Sequence, residues 1–147
     1  MTYSKYGNKK ITVDGIEFDS VLEARYYNYL KGEVASGRVA RFDMQVPYTL
    51  VRGYINPVGN KVEPVTYILD FLVHYTNGTT AHIDIKVLET ITEVFKIKRK
   101  LFELQFWVEL KCVTYSALDG GWVEIDDVRE GRKERRKNVR ERKKNGK

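Results

Sequence analysis

One cysteine, Cys112, stands in 147 residues, so the chain has no internal disulfide and fits a reducing cytoplasm. With that single thiol and only two histidines, His74 and His82, a tetrahedral zinc set is not completed, and the pair reads as polar packing or a phosphate contact. No apolar run approaches membrane-spanning length, which excludes a membrane-embedded role by helices. The N-terminus lacks the basic, apolar, small-residue succession of an export signal, so a cytoplasmic protein is expected. Asn77-Gly78-Thr79 spells a glycosylation sequon, but in such a compartment it is simply a turn. No internal repeat is visible.

What is present suits one globular domain: 42% hydrophobic and 31% charged residues, in a chain long enough to bury a core. The net charge of +6 is unevenly spread. From Arg129 to Lys147 there are 11 basic and 3 acidic residues, whereas the rest of the chain holds 15 basic and 17 acidic. A domain over 1–128, opened by a flexible basic arm over 1–10, is therefore expected to carry a basic tail over 129–147, helical or disordered. Such a tail attracts a polyanion, nucleic acid in the usual case, although a solvated solubility tail has the same composition.

The pattern of elements is α/β. Asp14-Gly15 between two short β-prone runs marks a two-residue hairpin. A helix follows from about Asp19 to about Ser36, with Ser20 as cap, Leu22, Tyr26, Leu30 and Val34 as buried stripe and Gly37 as terminator. Phe42 to Val51 reads as a strand, and Arg52 to Pro64, rich in Gly, Asn and Pro, as a long mobile loop. A hairpin from Val65 to Val87 comes next. The second helix, about Glu93 to Gln105, is capped by Thr92 and is expected to bury Val94, Ile97, Leu101 and Leu104. Val108 to Tyr115 then forms a strand parallel to a hairpin strand, Trp122 to Ile125 a short edge strand, and Asp126 and Asp127 cap a last helix entering the tail.

The hairpin carries the chemistry. Tyr67-Ile68-Leu69-Asp70-Phe71 and His82-Ile83-Asp84-Ile85-Lys86 read as buried strands, yet hold two carboxylates and an ammonium. Burying unpaired charge costs several kcal/mol, so a shared divalent cation and phosphoryl chemistry explain the set best. Geometry decides whether the groups meet. A two-residue Asn77-Gly78 turn puts the carboxylates on opposite faces. A three-residue Thr76-Asn77-Gly78 loop, with Gly78 left-handed, pairs Tyr75 with Thr79 and sets Asp70 across from Asp84, with Lys86 diagonal to it. The odd-length loop is expected. Two such carboxylates suit Mg²⁺, with the backbone carbonyl of Ile85 as a further oxygen and Lys86 beside the attacking water. A polar Asp-Asp-Lys patch on a sheet face is the alternative. Glu23 is accounted for by a Ser20-x-x-Glu23 capping box, though from the first turn of its helix it also reaches toward such a metal.

Ser20-Val21-Leu22-Glu23, Tyr67-Ile68-Leu69-Asp70-Phe71 and Asp84-Ile85-Lys86, in that order, resemble the PD-(D/E)xK nuclease superfamily. They are similar in particular to small phage endonucleases that resolve Holliday junctions. Lys5-Tyr6-Gly7-Asn8-Lys9-Lys10 with Asp14-Gly15-Ile16 and Phe18-Asp19-Ser20 resembles a family of small phage proteins within it. The resemblance spans about residues 4 to 105. It implies a restriction-endonuclease-like core, a mixed β-sheet flanked by helices, followed here by the basic C-terminal tail.

By the same resemblance Asp70 and Asp84 are metal ligands, Lys86 the catalytic lysine and Glu23 the supporting helix carboxylate. Mg²⁺ is the implied cofactor, with Mn²⁺ substituting, and a homodimer cutting branched DNA in the host cytoplasm the implied assembly. Lys98 on the second helix takes the place of a phosphate-contacting residue. Leu69 stands where proline often precedes the first aspartate, and Val87 where glycine commonly follows the lysine. Further DNA contacts are expected from Lys5, Lys9, Lys10, Lys100, Arg135 and Arg136. A nicking, restriction-like or DNA-packaging nuclease, or a non-catalytic DNA-binding protein of the same fold, fits the same residues.

Overall fold

The structure is a computed structural model that describes residues 9–146. It opens with a hairpin of β1 (Ile11–Val13) and β2 (Ile16–Phe18), whose turn residues Asp14 and Gly15 are both left-handed, as a two-residue loop demands. The helix α1 (Val21–Ala35) begins where Ser20 Oγ accepts the Glu23 N–H at 3.1 Å and ends at the left-handed Gly37. It buries Ala24, Tyr26, Tyr27 and Leu30, while Val34 is exposed. The expected four-residue stripe thus drifts: a 3.6-residue repeat carries strict i+4 spacing off the buried face within three turns.

The core sheet has the order β3-β6-β7-β8-β9, formed by β3 (Val39–Val51), β6 (Val65–Tyr75), β7 (Thr80–Ile85), β8 (Leu110–Ser116) and β9 (Gly121–Glu124). Only β7 and β8 are parallel, and α2 (Glu93–Phe106) connects them. The fold is α/β with a mixed five-stranded sheet flanked by three helices, an architecture compatible with a restriction-endonuclease-like core. One core, around Phe71, Val73, Ile83 and Ile85, packs against α1; a second, around Leu69, Phe102, Leu110 and Cys112, packs against α2 and the start of α3 (Ile125–Asn145).

Three expectations need correction. Arg52 to Pro64 is not a long irregular loop: β4 (Tyr54–Ile55) pairs with β5 (Lys61–Val62), and Asn56 Oδ1 ties the turn by accepting from the N–H groups of Val58 and Asn60. The second correction concerns α2. Its buried residues are Phe95 and Phe102, whereas Val94, Ile97 and Leu104 are 63%, 58% and 72% exposed and Leu101 only half-buried. The helix carries two apolar stripes, and the larger aromatic one faces the sheet, where it seats on Tyr48 and Tyr67. The third concerns the cap of the last helix: Asp126 and Asp127 lie inside its first turn and Glu124 takes the cap position, while the helix itself, anchored by the buried Ile125 and Val128, runs into the tail as expected, to Asn145. Among the described residues no helix is long and apolar enough to cross a membrane.

At Gln45, in the middle of β3, the backbone turns left-handed, with φ at 53°. Phe42 and Met44 pack into the α1-side core, and Val46, Tyr48 and Leu50 into the α2-side core. Residues of one parity therefore serve different layers on either side of this step. A left-handed non-glycine residue costs roughly 1–2 kcal/mol.

Candidate active site

The turn between β6 and β7 is Thr76-Asn77-Gly78. Tyr75 pairs with Thr79 through Tyr75 N–H to Thr79 O at 2.9 Å, and Gly78 is left-handed at 88°. The odd count carries through the ladder, from His74↔Thr80 to Phe71↔Ile83, so Asp70 comes across from Asp84 as the loop length predicts. There the regular ladder stops. Asp70 Oδ2 accepts the Ile85 N–H at 2.8 Å, and the next amide, Lys86 N–H, turns to Val113 O on β8. The strands part at the carboxyl end of β7, the place where α/β sheets hold their ligands.

A cleft of about 520 Å³ opens at this point, and Glu23, Gln45, Asp70, Asp84, Lys86 and Lys98 line it. Asp84 is only 3% exposed. Its Oδ2 accepts the hydroxyl of the buried Tyr67, and its Oδ1 has no hydrogen bond. Lys86 Nζ stands 3.3 Å from that Oδ1, an ion-pair distance without hydrogen-bond alignment, and 4.4 Å from the centre of the Phe95 ring. Burial raises the pKa of Asp84, and burial together with the neighbouring Asp84 and Glu23 charges raises that of Asp70. Glu23 is pushed up to about 7, mainly by burial and then by Asp19 and Asp84. Even with Lys86 beside Asp84, these three carboxyls lack matching positive charge.

A divalent cation would supply it. Among the described residues no three His, Cys, Asp or Glu side chains converge closely enough to hold an ion by themselves. Mg²⁺ does not ask for that: it keeps several waters and takes one or two carboxylates. Asp70 and Asp84 would provide them, and the unbonded, buried Asp84 Oδ1 is the kind of atom such an ion would complete. The Ile85 carbonyl belongs to the same strand end.

The remaining expected contacts divide. Lys98 Nζ donates to Thr66 O at 3.1 Å at the edge of the cleft. Lys9 lines an adjoining cleft of about 420 Å³ that shares Glu23, Ile85 and Lys86. Lys10 pairs with Glu17 at 3.2 Å, away from the carboxylates, and Lys100 is exposed on α2 outside the cleft. Arg135 is held by Asp119 at 2.9 Å, whereas Arg136 is free at the surface among the described residues. Lys5 lies outside the described residues. His74 does not pair with His82: it contacts Asp43 Oδ2 at 3.0 Å, and the His82 ring lies tilted against Tyr48 and Phe102.

Sequence reasoning missed Tyr67, Gln45 and Arg99. Tyr67 had a signal, since a tyrosine in a buried strand needs a partner for its hydroxyl. Arg99 escapes notice because the aliphatic stripe of α2 points to the other face; its Nε is buried, 3.9 Å from Glu103. Gln45 had none, because nothing in its neighbours announces a left-handed backbone.

Fold and cleft together define an α/β protein with a buried and a half-buried aspartate facing each other and a lysine at the carboxyl end of a central strand. The chain belongs to the family described as Protein of unknown function (DUF1064), which it matches over residues 3–125, ending where α3 begins. No curated protein matches it.

Proposed function

We propose that the chain is a Mg²⁺-dependent endonuclease acting on DNA, with branched DNA as its substrate and a homodimer as the working unit. The observation that carries this reading is the buried Asp84 opposite the half-buried Asp70, with an unbonded Asp84 oxygen and Lys86 Nζ beside it. Bound Mg²⁺ supplies Lewis-acid polarisation of the phosphoryl oxygen and lowers the pKa of a coordinated water. Asp70 and Asp84 would hold the cation, and Tyr67, by donating to Asp84 Oδ2, fixes that carboxyl and leaves Oδ1 unbonded. Lys86 orients the attacking water and offsets the charge that develops on the phosphoryl group. Lys98, at the rim, contacts a phosphate oxygen. The positive α3 adds affinity for the DNA backbone that falls steeply with salt.

A labelled four-way junction and a matched linear duplex, incubated with Mg²⁺, with EDTA and with the Asp84→Asn variant, test the reading. Metal-dependent cutting of the junction that disappears in the variant is expected. Equal cutting of both substrates would discard junction preference and keep the nuclease. Binding of DNA with no cutting of either would leave a non-catalytic DNA-binding protein.

A further inference from the structure

We infer that Gln45 is a substrate-contacting residue, its side-chain amide held in the cleft by a backbone conformation kept for that purpose. The inference rests on the endonuclease reading and adds a DNA contact to it. Met44↔Phe71 and Val46↔Leu69 bracket Gln45 in the β3–β6 register, so it faces Asp70 across the pair. That one rung is missing from an otherwise continuous stretch of ladder, and Gln45 is the left-handed residue there. Its side chain is exposed and lines the same cleft as Asp70, Asp84, Lys86 and Lys98.

A purely architectural account is available: β3 passes from one core layer to the other at this step. Glycine would serve that purpose better, since it enters the left-handed region without a Cβ penalty, and asparagine would be the next choice. Glutamine carries neither advantage. Strained backbone of this kind persists where surrounding structure enforces it, and it gathers at functional sites. What glutamine adds is a terminal amide, one group that both donates and accepts. The cleft already has ammonium groups for phosphate oxygens, in Lys86 and Lys98. An amide beside them suits a mixed donor–acceptor partner, the sugar or base edge of the nucleotide next to the scissile phosphate.

Stability and activity should move in opposite directions when the residue is changed. Gln45→Gly removes both strain and amide: its thermal midpoint should rise by about 2–4 °C, while kcat/KM on the labelled DNA falls roughly tenfold or more. Gln45→Asn keeps a shorter amide in a tolerated backbone and should recover part of that loss. A glycine variant that cuts as fast as the parent overturns the inference, and so does one that melts lower. A parent chain that does not cut at all brings down the endonuclease reading itself, which the Asp84→Asn control separates from failure at Gln45 alone.

Discussion

Asp70 Oδ2 accepts the backbone N–H of Ile85 at 2.8 Å, so a side chain fills the rung that main-chain pairing vacates between β6 and β7. The parted strands leave room for a cleft, and no buried amide is orphaned in the process. The same carboxylate then has one oxygen tied to the scaffold and one available to the cleft.

Ion-free protein should lose stability as pH rises. Glu23 titrates at about 7 in the folded chain against an ordinary 4.5, and Asp70 and Asp84 are raised as well. The folded state therefore binds these protons more tightly than the unfolded chain. Stability from this source is complete below about 4.5 and is lost as pH climbs through about 7. In EDTA the thermal midpoint should fall by about 5 °C or more between pH 5 and pH 8. Added Mg²⁺ or Mn²⁺ should recover it at pH 8 and do little at pH 5. A flat EDTA profile would mean that the three carboxyls are not held uncharged by the fold.

The two faces of α2 should differ sharply in urea unfolding. Phe102→Ala is expected to cost about 3–5 kcal/mol, as a fully buried aromatic ring does. Ile97→Gln and Leu104→Gln, on the exposed stripe, should each stay within about 0.5 kcal/mol. A large loss at Leu104 would place that stripe in contact with something.

Neighbouring arginines on α3 should behave differently toward DNA. Arg136→Ala should lower the slope of log K against log salt by about one. Arg135→Ala should leave the slope nearly unchanged, because its guanidinium is occupied by Asp119, which also accepts the Ser116 hydroxyl. Filter binding across a salt series separates the two.

Turn chemistry and strand alternation made much of this site legible. Gly78 signalled a left-handed position and the three-residue loop that follows, and Asp70 opposite Asp84 is a consequence of that count. Ser20 and Thr92 announced their helices, and both accept the capping hydrogen bonds expected of them. What could not be read was competition between alternatives of equal local merit. On α2 the aliphatic spacing from Val94 to Leu104 is as regular as the Phe95–Phe102 spacing that wins. Only the aromatic surface offered by Tyr48 and Tyr67, far away in the chain, decides between them. Asn56 similarly turned a Gly- and Pro-rich stretch into a hairpin through bonds that composition does not reveal.

The tip formed by Thr76, Asn77 and Gly78 is exposed, and five pairs, from Tyr75–Thr79 to Phe71–Ile83, separate it from the carboxylates. Exposed tips are ordinarily where a chain best tolerates gaining or losing a residue. Here one residue more or fewer would turn the side chains of one strand over relative to the other, and a carboxylate would be driven into the core against α1. The tip works as a tally: apart from the left-handed Gly78 its side chains are free to vary, but its length is not. Relatives that keep the chemistry should drift in composition there and stay fixed in number.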